Sequence, residues 1–142
     1  MIYLLDANVF LHVANKADGY LSIERKIIEA GAGALRISSV TLAELRFKIL
    51  RGEGRVKKEK LQALTLIVGR VRVDPFTARA AESAALVMHT LERAGKVNGW
   101  PDVMIAGQSI SDRRVLVTDD AALLQLPQVK AENWRADPRT IR

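Results

Sequence analysis

The sequence alternates short apolar runs with longer segments of helical periodicity, and this alternation constrains the fold more than any other feature. The apolar runs lie at 2–5, 35–39, 71–73 and 115–118. Segments with helical periodicity lie at 8–15, 21–30, 41–50, 56–68, 77–94, 101–111 and 121–126, and Gly69 is predicted to end the one at 56–68. Because strands separated by helices pair in parallel with right-handed crossovers, this order predicts an α/β domain of three layers, α/β/α, around a central parallel sheet. An edge strand near Trp134 completes the prediction.

Length and composition limit the class of protein. The chain has 142 residues, 49% of them hydrophobic and 27% charged, which predicts one domain over residues 1–142 with a substantial core. It has no cysteine, which excludes disulfide scaffolds, thiolate zinc sites and cysteine nucleophiles. No apolar run approaches the ~18 residues of a membrane span, so we expect a soluble cytoplasmic protein that does not contact a membrane.

Positive charge is concentrated in one stretch, residues 46–60, which we call the basic segment. The whole chain carries a net charge of +6, yet this stretch alone holds seven cations and two acids. Such a cluster can bind a polyanion, because each phosphate that it neutralises releases counterions. The alternative is a solvated helical hairpin with no ligand. The cations that would bind such a polyanion are Arg46, Lys48, Arg51, Arg55, Lys57 and Lys58.

Acidic residues follow the predicted strands or open the predicted helices. Asp6 closes the first strand, Glu44 is placed on the first turn of a helix, Asp102 follows Pro101, and Asp119-Asp120 follows the strand at 115–118. In an open parallel sheet the ligand crevice lies beyond the carboxyl ends of the strands, so these carboxylates are expected to meet. Carboxylates that share a crevice repel one another, and Mg²⁺, which prefers oxygen ligands, relieves that repulsion.

Each of these acids also has a purely structural explanation. Thr41-x-x-Glu44 has the spacing of a capping box, in which the glutamate binds back to the amide of the cap residue. Asp102 is an ordinary residue for the first turn of a helix, and Asp119 can cap the short helix that follows it. Four such coincidences at one edge of a sheet are less plausible than one shared function.

Several other sites are excluded. The chain contains no Gly-x-x-x-x-Gly-Lys-[Ser/Thr] loop and no Gly-x-Ser-x-Gly elbow, and its two histidines have no acidic or seryl partner at catalytic spacing. An aspartate phosphotransfer domain would need a lysine after a late strand, where this chain has aspartates. Aromatic residues make up only 5% of the sequence, which argues against a binder of single strands that relies on base stacking.

Four motifs occur in order: Leu5-Asp6-Ala7-Asn8, Ser39-Val40-Thr41-Leu42-Ala43-Glu44-Leu45, Pro101-Asp102-Val103-Met104-Ile105-Ala106 and Val117-Thr118-Asp119-Asp120. Together they resemble the four motifs of the PIN-domain family, and they are most similar to those of VapC-type toxins of bacterial toxin–antitoxin pairs. The resemblance runs almost from end to end, and Trp134 is similar to the family's usual ending.

The resemblance implies an endoribonuclease that depends on Mg²⁺ or Mn²⁺, forms a homodimer and pairs with an antitoxin. It also implies that the polyanion bound by the six cations of the basic segment is RNA. By position, Asp6, Glu44 and Asp102 match three catalytic, metal-binding acids of the family, and Asp120 matches the fourth, with Asp119 as the alternative. Asn8, Ser39 and Thr118 match polar residues that support the acids. A non-catalytic PIN-fold module of a DNA-binding regulatory complex is the alternative function.

Overall fold

The protein was analysed as a computed structural model, which describes residues 1–135. Five strands are present: β1 Tyr3–Leu5, β2 Leu35–Ser38, β3 Arg72–Asp74, β4 Val115–Val117 and β5 Ala131–Glu132. The helices are α1 Ala7–Ala14, α2 Tyr20–Ala30, α3 Ser39–Leu50, α4 Gly54–Arg70, α5 Ala78–Arg93, α6 Trp100–Ser111 and α7 Ala121–Leu124. The predicted domain covers residues 1–142, of which 136–142 lie outside the described residues. Among the helices of residues 1–135, none is both long and apolar enough to cross a membrane.

The strands form one parallel sheet in the order β3-β2-β1-β4-β5, as the alternation of strands and helices predicts. The chain moves from β1 to one side of the sheet through β2 and β3, and then returns to place β4 on the other side of β1. Crossovers that leave a sheet in opposite directions open a crevice at the carboxyl ends of the two central strands. Here those strands are β1 and β4, which end at Leu5 and Val117, directly before acidic motifs.

The two faces of the sheet are covered by different helices. Leu4 and Leu116 point into a core that includes residues of α5, α6 and α7. Leu5, Ile37 and Val117 alternate with them and point into cores that include residues of α1, α2, α3 and α4. Because both faces are buried, the central strands are almost wholly apolar, and the three layers predicted from the sequence are confirmed.

The helix that carries Asp102 is fixed by a close approach to α5. A Cβ placed on Gly107 of α6 would lie 2.3 Å from the amide nitrogen and 2.5 Å from the Cα of Ala84. Only glycine lets the two backbones come this near, so Gly107 sets the depth at which α6 packs. The position of Asp102 above the crevice depends on that depth.

Two predicted details of the helices are wrong. Helix α3 begins at Ser39, with Ser38 as its cap, so Glu44 is the sixth residue of the helix and lies on its second turn. Thr41 and Glu44 therefore do not form a capping box, since the Ser38 hydroxyl already accepts the amide of Val40 at 3.0 Å. Gly69 does not end its helix, because α4 continues to Arg70 and the chain then enters β3 at once.

Candidate active site

Asp6 stands where β1 becomes α1 and is the most deeply buried acid of the crevice, with 3% of its surface exposed. One carboxylate oxygen caps α1 by accepting the amide of Val9 at 3.1 Å, and the side chain also accepts the Thr118 hydroxyl. These bonds favour the charged form, but burial outweighs them, and Asp119 and Asp102 add repulsion. The pKa of Asp6 rises from 3.8 to about 6.

Asp102 lies half-buried on the first turn of α6. Pro101 precedes it, and proline suits the start of a helix because the amide hydrogen that it lacks would have no partner within the helix. Its pKa is raised first by burial and then by the negative charges of Asp120 and Glu44, while Lys48 opposes the rise. Carboxylates from α3, α6 and the segment after β4 therefore act on one another through space. The structure thus brings Asp6, Glu44, Asp102, Asp119 and Asp120 to one crevice.

The two adjacent aspartates after β4 have different partners. Asp120 caps α7, since its Oδ1 accepts the amides of Ala122 at 2.9 Å and Leu123 at 3.1 Å, and its Oδ2 accepts Asn98 Nδ2 at 2.9 Å. The capping role that the sequence suggested for Asp119 therefore belongs to Asp120.

Asp119 is held by polar and basic side chains. Its Oδ1 accepts the Asn8 amide at 3.5 Å and its Oδ2 accepts Arg135 Nη1 at 3.4 Å, with His12 Nε2 3.9 Å away. The main chain in turn fixes Arg135, whose Nε donates to the carbonyl of Asp18 at 2.8 Å. Arg135 comes from beyond β5, and no motif in the sequence links it to the acids.

The three predicted supporting residues have separate positions. Thr118 is buried between two acids, since its hydroxyl donates to Asp6 and accepts the amide of Asp120 at 3.1 Å. Asn8 contacts Asp119. Ser39 instead accepts the amide of Phe76 at 3.0 Å, and the neighbouring Ser38 donates to Gln108 Oε1 at 2.5 Å. Because Gln108 lies on α6, this last bond ties the start of the helix that carries Glu44 to the helix that carries Asp102.

One further acid at a strand end does not belong to the crevice. Asp74 closes β3 and is buried, but Arg36 Nε lies 3.7 Å and Arg114 Nε 3.1 Å from its carboxylate. Two guanidinium groups already neutralise this carboxylate, so it has no need of an added cation. The acids of the crevice have less positive charge beside them, and this difference separates the candidate active site from a structural ion pair.

The basic segment begins beside the crevice and extends away from it. Its first cations lie on α3, Arg51 follows that helix, and the others lie on the first turns of α4. Of the six predicted RNA-binding residues all but the half-buried Lys57 are exposed, and Arg55 pairs with Glu59 at 3.2 Å. Lys48 is close enough to Asp102 to lower its pKa, so the segment meets the acids at this residue.

The donor set suits a hard divalent cation that retains water. The side chains are carboxylates, hydroxyls and amides, and these oxygens are the ligands that Mg²⁺ and Mn²⁺ prefer. Within residues 1–135, no three acidic or histidine side chains are arranged so that they could hold an ion directly. Mg²⁺ commonly binds through one or two carboxylates and keeps its remaining waters, so the residues present fit this mode.

Comparison with known proteins agrees with this geometry. The family model described as PIN domain matches residues 3–129, which is most of the chain and includes all five acids. The chain belongs to the PIN domain family. It is 30% identical to a protein named ribonuclease VapC2 from Rickettsia felis. The alignment spans 137 residues and covers 94% of this chain and 98% of that protein. It is 26% identical to a protein named tRNA(fMet)-specific endonuclease VapC from Shigella flexneri, with 93% and 97% coverage.

Solved structures of VapBC complexes contain a chain with the same architecture. The VapBC2 complex of Rickettsia felis, bound to a DNA fragment from its promoter, superposes with a TM-score of 0.82 at 27% identity, covering 94% of this chain and 99% of that one. The DNA-bound VapBC of Salmonella typhimurium gives a TM-score of 0.79 at 25% identity, with 94% and 98% coverage. The parallel sheet and the helices on both of its faces are therefore those of VapC structures.

Proposed function

We propose that this PIN domain protein is a metal-dependent endoribonuclease and the toxin of a toxin–antitoxin pair. The observation that carries the proposal is the convergence of five carboxylates from separate parts of the chain on the crevice between β1 and β4. Burial and repulsion among them raise the pKa of Asp6 and of Asp102. A partly buried cluster of carboxylates destabilises the free protein, and such clusters are typical of functional sites. Relatives named ribonuclease and endonuclease support the class of reaction.

The raised pKa values of Asp6 and Asp102 indicate these two acids as the principal ligands. They would hold the Mg²⁺ or Mn²⁺, and Glu44 and Asp120 would complete the site through water or at a second metal. The bound cation would neutralise the carboxylates, polarise the scissile phosphate and lower the pKa of an attacking water. Thr118 orients Asp6, and Asn8 with Arg135 orients Asp119. By its position in the family motif Asp120 is the proposed fourth acid of the site, with Asp119 as the alternative.

The RNA backbone would lie along the basic segment. Lys48 stands beside Asp102, and the other cations continue away from the crevice over α3 and α4. A strand whose scissile phosphate sits at the acids can therefore contact successive cations with its neighbouring phosphates. These contacts are electrostatic, so they supply affinity without sequence preference.

A cognate antitoxin is the second partner that we propose, because the neighbouring structures are complexes of toxin with antitoxin. Helices α1, α2 and α4 border a cavity of about 510 Å³, lined by Phe10, Val13, Ile27 and Ile67 among others. An amphipathic helix of the antitoxin could lay its apolar face in this groove. The homodimer implied by the resemblance to VapC-type toxins is part of the same proposal.

One observation favours a second candidate function. Both neighbouring complexes named above are bound to DNA, so a PIN domain protein can be a component of a DNA-binding assembly. A module that served only this purpose would have no need of five acids in one crevice. We therefore expect the regulatory role to accompany cleavage and not to replace it.

Cleavage of a labelled RNA with Mn²⁺, with and without EDTA, separates the two functions. The proposal predicts cleavage that EDTA abolishes and that Asp6→Asn and Asp102→Asn each remove without loss of fold. Asp18→Asn, which changes an aspartate outside the crevice, is the matched control and retains cleavage. Two results would contradict the ribonuclease: cleavage by the Asp6→Asn variant at the wild-type rate, and a wild-type protein that does not cut RNA with any divalent metal. Either result would favour the non-catalytic binding module.

A further inference from the structure

Two large aromatic side chains are exposed beside the acids. Phe47 follows Glu44 by one turn of α3 and is 57% exposed, and Trp100 opens α6 two residues before Asp102 and is 56% exposed. The chain has only two tryptophans and three phenylalanines, and Trp134 is buried. Exposing these side chains forfeits part of the free energy that their burial would provide, so their position next to the acids calls for a functional explanation.

A groove connects the aromatic residues to the crevice. A cavity of about 520 Å³ is lined by Glu44, Phe47, Lys48, Arg51 and Pro101, and by apolar side chains of α3 and α6. Glu44 and Lys48 are charged neighbours of Asp102, so one end of the groove is the wall of the acidic site. Trp100 directly precedes Pro101, which lines the groove. A nucleotide next to a phosphate at the acids can therefore reach this surface.

The chemistry of the groove suits a flat, aromatic group that is attached to an anion. The guanidinium carbon of Arg51 lies 4.9 Å from the centroid of the Phe47 ring, a cation–π arrangement that presents the ring beside a positive charge. Nucleobases in single-stranded RNA stack on aromatic side chains and on arginine planes, and their phosphates pair with lysine.

We propose that this groove is a nucleobase subsite, in which an unpaired base next to the scissile phosphate stacks on Phe47 and Trp100. The inference rests on the proposed ribonuclease function and adds the class of substrate, a single-stranded segment whose bases are turned out of a helix. It also revises the expectation from composition. Few aromatic residues are present, but the two that are exposed within residues 1–135 lie beside the acids, within reach of a base next to the cut.

A second copy of the chain is the other possible occupant, and the charges argue against it. Arg46, Lys48 and Arg51 flank Phe47 along the chain, and a two-fold contact would bring the same face of both copies together. Like charges would then oppose each other across the contact, whereas RNA carries the complementary charge. We therefore assign the groove to RNA.

Trp100 itself supplies the measurement. In the Asp6→Asn background, which keeps RNA intact, a short single-stranded RNA should quench tryptophan fluorescence, and an abasic strand with the same phosphates should not. Of the two tryptophans only Trp100 can report this stacking, because Trp134 is 3% exposed. Trp100→Leu should weaken binding roughly tenfold or more, Trp100→Phe should restore most of the affinity, and Leu86→Ala, which alters an exposed side chain on α5, should change nothing.

Salt dependence distinguishes stacking from charge. Trp100→Leu should leave the slope of affinity against salt unchanged, whereas Lys48→Gln should reduce it. Phe47→Leu gives the same test if Trp100→Leu does not fold.

Two results overturn the subsite even where wild-type protein cleaves RNA: equal quenching by the abasic strand, and unchanged affinity in both aromatic variants. A change from dimer to monomer in Trp100→Leu, with unchanged RNA affinity per protomer, assigns the groove to a second copy and also overturns it. Base-dependent quenching without any cleavage keeps the subsite and refutes the ribonuclease.

Discussion

Asp6→Asn should stabilise the metal-free protein at neutral pH, although it removes the most buried acid of the site. The folded state raises the pKa of Asp6 from 3.8 to about 6, so it binds the proton more tightly than the unfolded chain does. The resulting destabilisation begins as pH rises past about 4 and is complete above about 6. Asparagine carries no charge at any of these pH values and caps α1 as well as aspartate does.

The size of the effect follows from the shift. A rise of about two pKa units corresponds to ~3 kcal/mol at neutral pH, since each unit is worth 1.36 kcal/mol. Asparagine disturbs the bond with the Thr118 hydroxyl, which costs about 1 kcal/mol. The net gain is therefore about 2 kcal/mol, which corresponds to an increase in Tm of roughly 4–8 °C for a domain of this size.

Thermal unfolding in EDTA, followed by circular dichroism at neutral pH and at about pH 4, measures this difference. Asp6→Asn should raise the Tm at neutral pH and leave it unchanged or slightly lower at pH 4, where Asp6 is largely protonated in the folded state. Asp18→Asn, at a loop position outside the crevice, should have no effect at either pH. An equal shift at both pH values, or a lower Tm at neutral pH, would refute the assignment of Asp6 to a repelling cluster.

Three further outcomes follow from the same structure. Gly107→Ala should lower the free energy of unfolding in urea by about 1–3 kcal/mol or more, because its Cβ meets the backbone of Ala84. Gly33→Ala, where a Cβ has open space, should have little effect, and equal urea midpoints for the two variants would contradict the close packing of α6 on α5. Ser38→Ala should lower the free energy of unfolding by about 1 kcal/mol, because it removes the cap of α3. Glu44→Gln should abolish RNA cleavage without loss of stability, since it removes a charge that repels Asp102, and a loss comparable to that of Ser38→Ala would restore the capping box. Replacing Lys57 and Lys58 by Gln should reduce the slope of log RNA affinity against log salt by about 0.7 for each phosphate that is no longer neutralised, and an unchanged slope would remove them from the RNA path.

The layers of the fold could be predicted because local patterns determine them. Buried parallel strands favour continuous apolar runs, and the runs at β1 and β4 contrast clearly with the helices between them. The start of α3 could not be predicted in the same way. Both Ser38 and Thr41 are good cap residues, and the choice depends on Gln108, which accepts the Ser38 hydroxyl from a helix 70 residues away.

The acids of the site could be predicted because they follow strands, but their partners could not. Asn98 lies in the loop before α6, Lys48 is exposed on α3, and Arg135 follows β5. None of the three has a spacing in the sequence that relates it to the acids. Whether Asp119 or Asp120 caps α7 also depends on backbone direction after β4, which two identical adjacent residues cannot reveal. Three-dimensional contacts decide all of these questions.

Direct binding of Mn²⁺ to the metal-free protein tests the central claim, that the carboxylates of the β1–β4 crevice form a site for a divalent cation. Electron paramagnetic resonance of free Mn²⁺ gives the affinity for wild type, Asp102→Asn and the control Asp18→Asn. We predict saturable binding at neutral pH that weakens toward pH 5, because protons compete for Asp6 and Asp102, whose pKa values are raised. Asp102→Asn should lower the affinity roughly tenfold or more, and Asp18→Asn should not change it. Equal Mn²⁺ affinity in all three proteins would contradict the account.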